Sequence, residues 1–247
     1  MVLKAPEFGS ETIFQVRCQE VDVNQQLKMS SLLMLMQETS MENALKLQIS
    51  IWDDTMGNTS WVLLRKEVSI LKPVKLGDMI RVITYPAGFD RILAYRDFIV
   101  YDLNDELIAT ASSTWTLMNL DTRKIERIPA EIFKVAFDGN PLEKPASKLF
   151  LSKELIHNYT YSIKYGDLDW NGHVNNIVLT KLMIQATPID ILQKRKLENY
   201  KIHIKAECLL EESISVSIAR VSASEIHYQI ISLKDNRVIA LATSNWQ

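Results

Sequence analysis

Short segments in which apolar and polar residues alternate dominate the chain, and a period of two predicts strands. In the first half these segments run from Ile13 to Arg17, Trp61 to Leu71, Met79 to Tyr85, Ile92 to Tyr101 and Leu107 to Met118. Asp102-Leu-Asn-Asp105 has the composition of a hairpin turn, because Asn and Asp tolerate tight backbone conformations. One stretch breaks the alternation. Ser30 to Leu47 carries Leu33, Met36, Met41, Ala44, Leu45 and Leu47 near helical spacing, and Ser30 or Ser31 can cap it. The run Leu32 to Met36 is apolar without a break, as in a helix that is nearly buried all round. The predicted order is strand, helix, four strands.

The second half repeats that order. A strand is predicted over Tyr159 to Tyr165, then a helix over Asn176 to Ala186, interrupted at Pro188 and resuming to Lys196. Strands follow near Lys201–Cys208, Ile214–Val221, Ile226–Leu233 and Val238–Trp246. The stretch Pro129 to Ser147, with Gly139, Pro141 and Pro145, reads as a connector. The predicted division is a first domain over 1–128, a linker over 129–150 and a second domain over 151–247.

The repeat also extends to individual residues. Glu20-Val-Asp-Val-Asn-Gln-Gln-Leu27 aligns with Asp167-Leu-Asp-Trp-Asn-Gly-His-Val174, so Asp22 matches Asp169 and Asn24 matches Asn171. Glu106 to Trp115 aligns with Arg237 to Trp246, with five of ten positions identical. The offset falls from 147 residues at Asp22 and Asp169 to 131 at Trp115 and Trp246, which places extra loop in the first half, around Ile51 to Ser60. A duplicated unit of one helix laid on a five-stranded antiparallel sheet is an α+β arrangement, since the helix covers the apolar face of the sheet. The predicted fold is two tandem hotdog domains forming a pseudo-dimer.

The copies differ where it matters chemically. His173 stands where the first copy has Gln26, and only imidazole can exchange a proton near neutral pH. If the loop before the helix is a site, the second half holds the working one. In an extended stretch Asp169, Asn171 and His173 face one side, beside a helix N-terminus whose dipole favours developing negative charge. The same residues could instead simply cap the helix. Cys208 falls in the apolar row of Ile202, Ile204 and Ala206, opposite Glu207, which makes it a packed cysteine and a disfavoured nucleophile. His203 and His227 read as partly buried strand residues, and His157 has no functional argument behind it.

Asp169-x-Asn-x-His173-Val-Asn-Asn176, with Glu207-Cys208 downstream and a degenerate first copy, resembles the signature of acyl–acyl-carrier-protein (acyl-ACP) thioesterases. The resemblance spans both halves. It is closest in kind to bacterial members, without the N-terminal extension of plant plastid enzymes. It implies hydrolysis of fatty acyl-ACP to free fatty acid and ACP in fatty acid biosynthesis, with an active site of Asp169, Asn171, His173 and Glu207. It also implies that the first hotdog takes the acyl chain, here through the apolar first helix and its facing sheet. His173 could act as general base, or Asp169 or Glu207 could activate water while Asn171 and His173 position the thioester.

Composition narrows the partners. The 247 residues are 47% hydrophobic and 23% charged with a net charge of −2, so no global basic field exists to hold nucleic acid. The N-terminus has no signal-like apolar region, and Leu32 to Met36 is far too short to span a bilayer. The two cysteines fit a reduced cytoplasmic setting, with no membrane partner. No His/Cys/Asp cluster has metal-ligand spacing, so neither metal nor cofactor is expected. Lys194-Arg195-Lys196 is either a solvated helix end or, as the resemblance implies, a docking patch for acidic ACP. Exposed edge strands leave a homodimer open. The alternatives are an acyl-CoA thioesterase on the same fold, a hotdog dehydratase or isomerase, and a non-catalytic acyl-binding protein.

Overall fold

The structure, a computed structural model, describes residues 5–53 and 56–247. It divides into two compact units, Met1–Pro145 and Ala146–Gln247. In unit 1, β1 (Ser10–Gln15) precedes helix α1 (Met29–Lys46), and β2 (Thr59–Ile70), β3 (Met79–Phe89), β4 (Ala94–Asp102) and β5 (Leu107–Asn119) follow. Their order across the sheet is β1-β3-β4-β5-β2, with the short β6 (Ile125–Glu126) on β5. In unit 2, β7 (Ile156–Ser162) precedes α2 (Asn176–Gln185) and α3 (Ile189–Lys194). Then come β8 (Leu197–Ile204), β9 (Ser213–Arg220), β10 (Glu225–Ser232) and β11 (Val238–Trp246), in the order β7-β9-β10-β11-β8. Strand for strand, the two orders are the same, and every pairing within each unit is antiparallel.

The burial follows from the sequence pattern. In α1, Leu32, Leu33, Leu35 and Met36 are all buried, which accounts for an apolar run longer than one helical face needs. In the same unit, Ile80, Val82, Phe98 and Val100 of β3 and β4 expose no surface. Each such side chain contributes about 1.5–3 kcal/mol relative to leaving it in water. The second helix stops at Gln185 and restarts at Ile189, because Pro188 disfavours helical backbone at the residue before it. The duplication reaches single side chains: Trp115 Nε1 donates to Ser113 Oγ at 2.8 Å, and Trp246 Nε1 donates to Ser244 Oγ at 2.6 Å.

Two expectations from the sequence need correction. The strand anticipated over Lys201–Cys208 runs from Leu197 and ends at Ile204. The N–H groups of Lys205 and Ala206 both turn to the carbonyl of Ile239, so Glu207 and Cys208 lie in the β8–β9 connection, where strand alternation does not govern them. The stretch 129–150 is not all linker: Ala130–Val135 forms a 3-10 helix whose Ile132 and Val135 pack with Ile49, Ala94 and Leu117 of unit 1. Beyond it, the Phe137 ring meets Tyr85 at 4.5 Å and Leu142 N donates to Asp97 Oδ2 at 2.7 Å. The extra loop assigned to Ile51–Ser60 falls partly on residues 54 and 55, outside the described residues; of the rest, Met56 is buried. No helix among the described residues is long and apolar enough to cross a membrane.

The turn before the second strand after the helix differs between copies in a way that affects stability. Gly77 has φ 88°, and its N–H donates to Val16 O at 3.0 Å; at the matching place Glu211 has φ 63° and donates to Ile163 O at 3.1 Å. A left-handed backbone costs an ordinary residue roughly 1–2 kcal/mol. Glu211→Gly is expected to raise the unfolding free energy by about 1 kcal/mol in urea titration. A loss of stability would show that the Glu211 side chain more than offsets its strain.

Candidate active site

The candidate site is built on a stapled turn. The Asp169 N–H donates to the His173 carbonyl at 2.7 Å, and Leu168 bridges Val174 across the turn. Asp169 Oδ1 accepts from Asn171 N at 2.8 Å and from His173 N at 3.4 Å, an Asx-type closure. Gly172 supplies the positive φ of 75° that the turn requires. Below it, the Asn175 N–H donates to Asp167 O at 2.9 Å, and the Asn175 side chain accepts from Ile177 N to cap α2. The His173 backbone is therefore fixed on both sides.

A second segment supplies the partner. The Val174 N–H donates to Cys208 O at 3.0 Å, which brings the β8–β9 connection against the turn. Glu207 Oε2 lies 3.5 Å from His173 Nε2. Both side chains are partly open to solvent, at 23% for His173 and 36% for Glu207. The connection is braced from behind. Arg237 Nη2 donates to the Glu207 carbonyl at 3.2 Å and to Glu212 Oε1 at 2.7 Å, while Glu212 Oε2 accepts from Leu209 N at 3.1 Å. Burial raises the Glu212 carboxyl, but hydrogen bonds from Ser232 first, then from Leu209 N and Cys208, with the Arg237 charge, hold it below its ordinary value.

Unit 1 has the same scaffold without the same chemistry. Asp22 N donates to Gln26 O at 2.8 Å, and Asp22 Oδ1 accepts from Asn24 N at 2.8 Å and Gln26 N at 3.0 Å. Gln25 takes the φ of 60° that Gly172 takes in unit 2. Leu27 N donates to Val74 O as Val174 N does to Cys208 O, so Pro73 occupies the place of Glu207. The imidazole and the carboxylate have both been replaced, by Gln26 and Pro73.

Of the residues anticipated for the site, His173 and Glu207 meet. Asp169 and Asn171 sit in the turn with His173, but in a tight reversal rather than the extended stretch anticipated, so alternation is not what gathers them. One Asp169 oxygen is already committed to its own backbone, as is that of Asp22 in a copy without imidazole. Cys208 is buried, and desolvation first, then the neighbouring Glu212, push its thiol up to about 12. That is the reverse of the environment an attacking thiolate needs. His227 holds Ser152 N at 2.8 Å and faces Glu225 at 2.9 Å, and His157 meets Ser215 at 2.7 Å. His203 is buried, with only 1% of its surface exposed. The sequence reading missed Arg237, Glu212 and the Asn175 cap. The signal for Glu212 lies in the repeat, since Asp78 Oδ2 accepts from Lys75 N at 2.8 Å in the first copy as Glu212 does from Leu209 in the second.

Comparison with known proteins bears on family and fold. Residues 9–136 match the acyl-ACP thioesterase N-terminal domain and residues 152–247 the acyl-ACP thioesterase C-terminal domain. A chloroplastic acyl-[acyl-carrier-protein] hydrolase of Cuphea viscosissima is 23% identical over 95% of this chain and 61% of its own length. A chloroplastic palmitoyl-acyl carrier protein thioesterase of Arabidopsis thaliana is 27% identical over 86% of this chain and 55% of its own. The chain thus spans little more than half the length of these relatives. The fold is shared with an acyl-ACP thioesterase from Bacteroides thetaiotaomicron (TM-score 0.87, 24% identity, 97% of this chain and 98% of that one). It is shared equally with the 12:0-ACP thioesterase from Umbellularia californica (TM-score 0.87, 20% identity, 99% of each chain).

The two cysteines should behave differently. Cys18 is exposed and Cys208 buried. A disulfide reagent at pH 8 is expected to titrate one thiol in the native protein and a second only on denaturation. Rapid modification of both in the native state would mean that the Cys208 thiol is open to the site after all.

Proposed function

This chain belongs to the acyl-ACP thioesterase family, and we propose that it hydrolyses the thioester of fatty acyl-ACP, releasing free fatty acid and ACP in fatty acid biosynthesis. The observation that carries this reading is the His173–Glu207 pair, present on the turn of unit 2 and replaced by Gln26 and Pro73 on the same turn of unit 1. The acyl-CoA alternative would use the same chemistry with a different carrier. The relatives, an acyl-[acyl-carrier-protein] hydrolase and a palmitoyl-acyl carrier protein thioesterase, favour ACP.

The chemistry is general-base hydrolysis. His173 takes a proton from water as the oxygen bonds to the thioester carbon, and the Glu207 carboxylate 3.5 Å away offsets the positive charge the ring then carries. The Asn171 amide donates to the oxygen that gains charge. The carbon–sulfur bond then breaks, and the proton on His173 passes to the departing pantetheine sulfur. Asp169 keeps the turn in shape through its bonds to Asn171 N and His173 N, and Arg237 keeps Glu207 in reach. Cys208 takes no part. Unit 1, with its apolar α1, receives the acyl chain. A cytoplasmic setting fits the free, exposed Cys18.

ACP docks near the end of α3. Lys194 and Lys196 are exposed there, while Arg195 is half-buried and donates to Trp246 O at 3.4 Å. Lys194 and Lys196 are therefore the free cations of that basic run, and Arg195 also serves the fold.

Free thiol release from matched acyl-ACP and acyl-CoA tests the reading. Wild type is expected to release thiol faster from acyl-ACP, and His173→Ala to lose about 10²–10⁴-fold. Equal use of both carriers would remove the ACP assignment. No release from either would turn the reading to an acyl-binding or dehydratase role. For docking, Lys194→Glu with Lys196→Glu is expected to raise KM for acyl-ACP while sparing small thioesters, and an equal loss on both substrates contradicts it.

A further inference from the structure

The interior of unit 1 holds two basic side chains. Lys66 on β2 and Arg96 on β4 both pair with Ser113 of β5, one on each side, so their side chains leave the same face of the sheet. That face carries α1, because Arg96 Nη1 donates to Oδ1 of Asn43, a fully buried residue of that helix, at 2.7 Å. Arg96 Nη1 also reaches Thr84 Oγ1 at 3.3 Å. The Lys66 ammonium lies 4.6 Å over the Phe98 ring. Lys66 and Arg96 expose 6% and 8% of their surface. Burial first, and then the like charge of Arg96, brings Lys66 down to about 7, and burial lowers Arg96 to about 10.

The duplication supplies a control. Ser244, the counterpart of Ser113, pairs with Tyr200 and Ile226 at the same two places of the unit 2 sheet. Both are neutral and neither exposes any surface. The scaffold therefore folds without cations there, and burying a cation with no carboxylate partner among the described residues opposes folding. Such a pair kept against its cost marks a site for a group of opposite charge.

We propose that the interior of unit 1 binds a carboxylate carried on an aliphatic chain, with Lys66 and Arg96 receiving the carboxylate. Asn43 and Thr84 orient the guanidinium, and buried apolar residues of the same unit, Leu32 and Met36 of α1 with Val68 and Phe98 of the sheet, accept the chain. This carboxylate has two sources: a free fatty acid, or the far end of a substrate chain that bears a second carboxyl group.

Calorimetric titration of the full chain with dodecanoate and with 1-dodecanol tests the site without any appeal to hydrolysis. Wild type is expected to bind dodecanoate at least tenfold more tightly. Lys66→Met is expected to abolish that difference and to raise the thermal midpoint, since an apolar side chain replaces a buried cation. Equal affinity for the two ligands in wild type overturns the proposal and needs no variant. So does a Lys66→Met protein that keeps the preference. The source is read by thiol release, which rests on the hydrolytic reading above. Inhibition of dodecanoyl-ACP hydrolysis by added dodecanoate, relieved in Lys66→Met, identifies a free fatty acid. Preferential turnover of a dodecanoyl chain with a distal carboxylate, lost in Lys66→Met, identifies the substrate.

Discussion

The carboxylate of Asp169 closes its own turn, and much of the site depends on that closure. By accepting from the N–H groups of Asn171 and His173 it fixes a reversal in which the His173 carbonyl receives the Asp169 N–H. The reversal sets where the His173 imidazole leaves the backbone and where α2 begins. The Val174 N–H then holds Cys208 O, and Glu207 comes within 3.5 Å of the imidazole. Asp22 closes the first copy's turn with the same bonds, so this closure is a property of the scaffold. The chemistry is added to it by two substitutions between the copies.

The same comparison separates fold from function elsewhere. Where the copies agree, as in the Trp115–Ser113 and Trp246–Ser244 bonds, the residue serves the fold. Where they differ at a cost to stability, another role is needed. Glu211 in a glycine conformation, and Lys66 and Arg96 in place of neutral Tyr200 and Ile226, are such differences. With Glu207 in place of Pro73, they set the two units apart: a His173–Glu207 pair in unit 2 and buried basic side chains in unit 1.

Much of this was legible in the sequence. Alternation located β3, β4, β5 and β9 to β11, although Val82 to Ala87 of β3 and Arg96 to Val100 of β4 are buried on both faces, and the contiguous run in α1 announced a helix buried nearly all round. The Asp-x-Asn-x-His spacing and the Gln26 substitution located the turn. The legible part ended where periodicity ended. Glu207 and Cys208 continue the pattern of β8, but backbone N–H groups at Lys205 and Ala206 leave the ladder, and no residue type there signals it. The packing of 130–135 was hidden because Gly and Pro nearby suggested a linker while Ile132 and Val135 were finding a core. Lys66 and Arg96 lie in alternating strands where a charge normally marks the solvent face, so only three-dimensional placement reveals them as interior.

The central claim is that His173 and Glu207 act as one unit. A double-mutant cycle on kcat/KM for thiol release from acyl-ACP, using His173→Ala, Glu207→Ala and the double variant, tests it most directly. The account predicts that the double variant is about as slow as the slower single variant. Losses that multiply would contradict it and leave the two residues with independent roles.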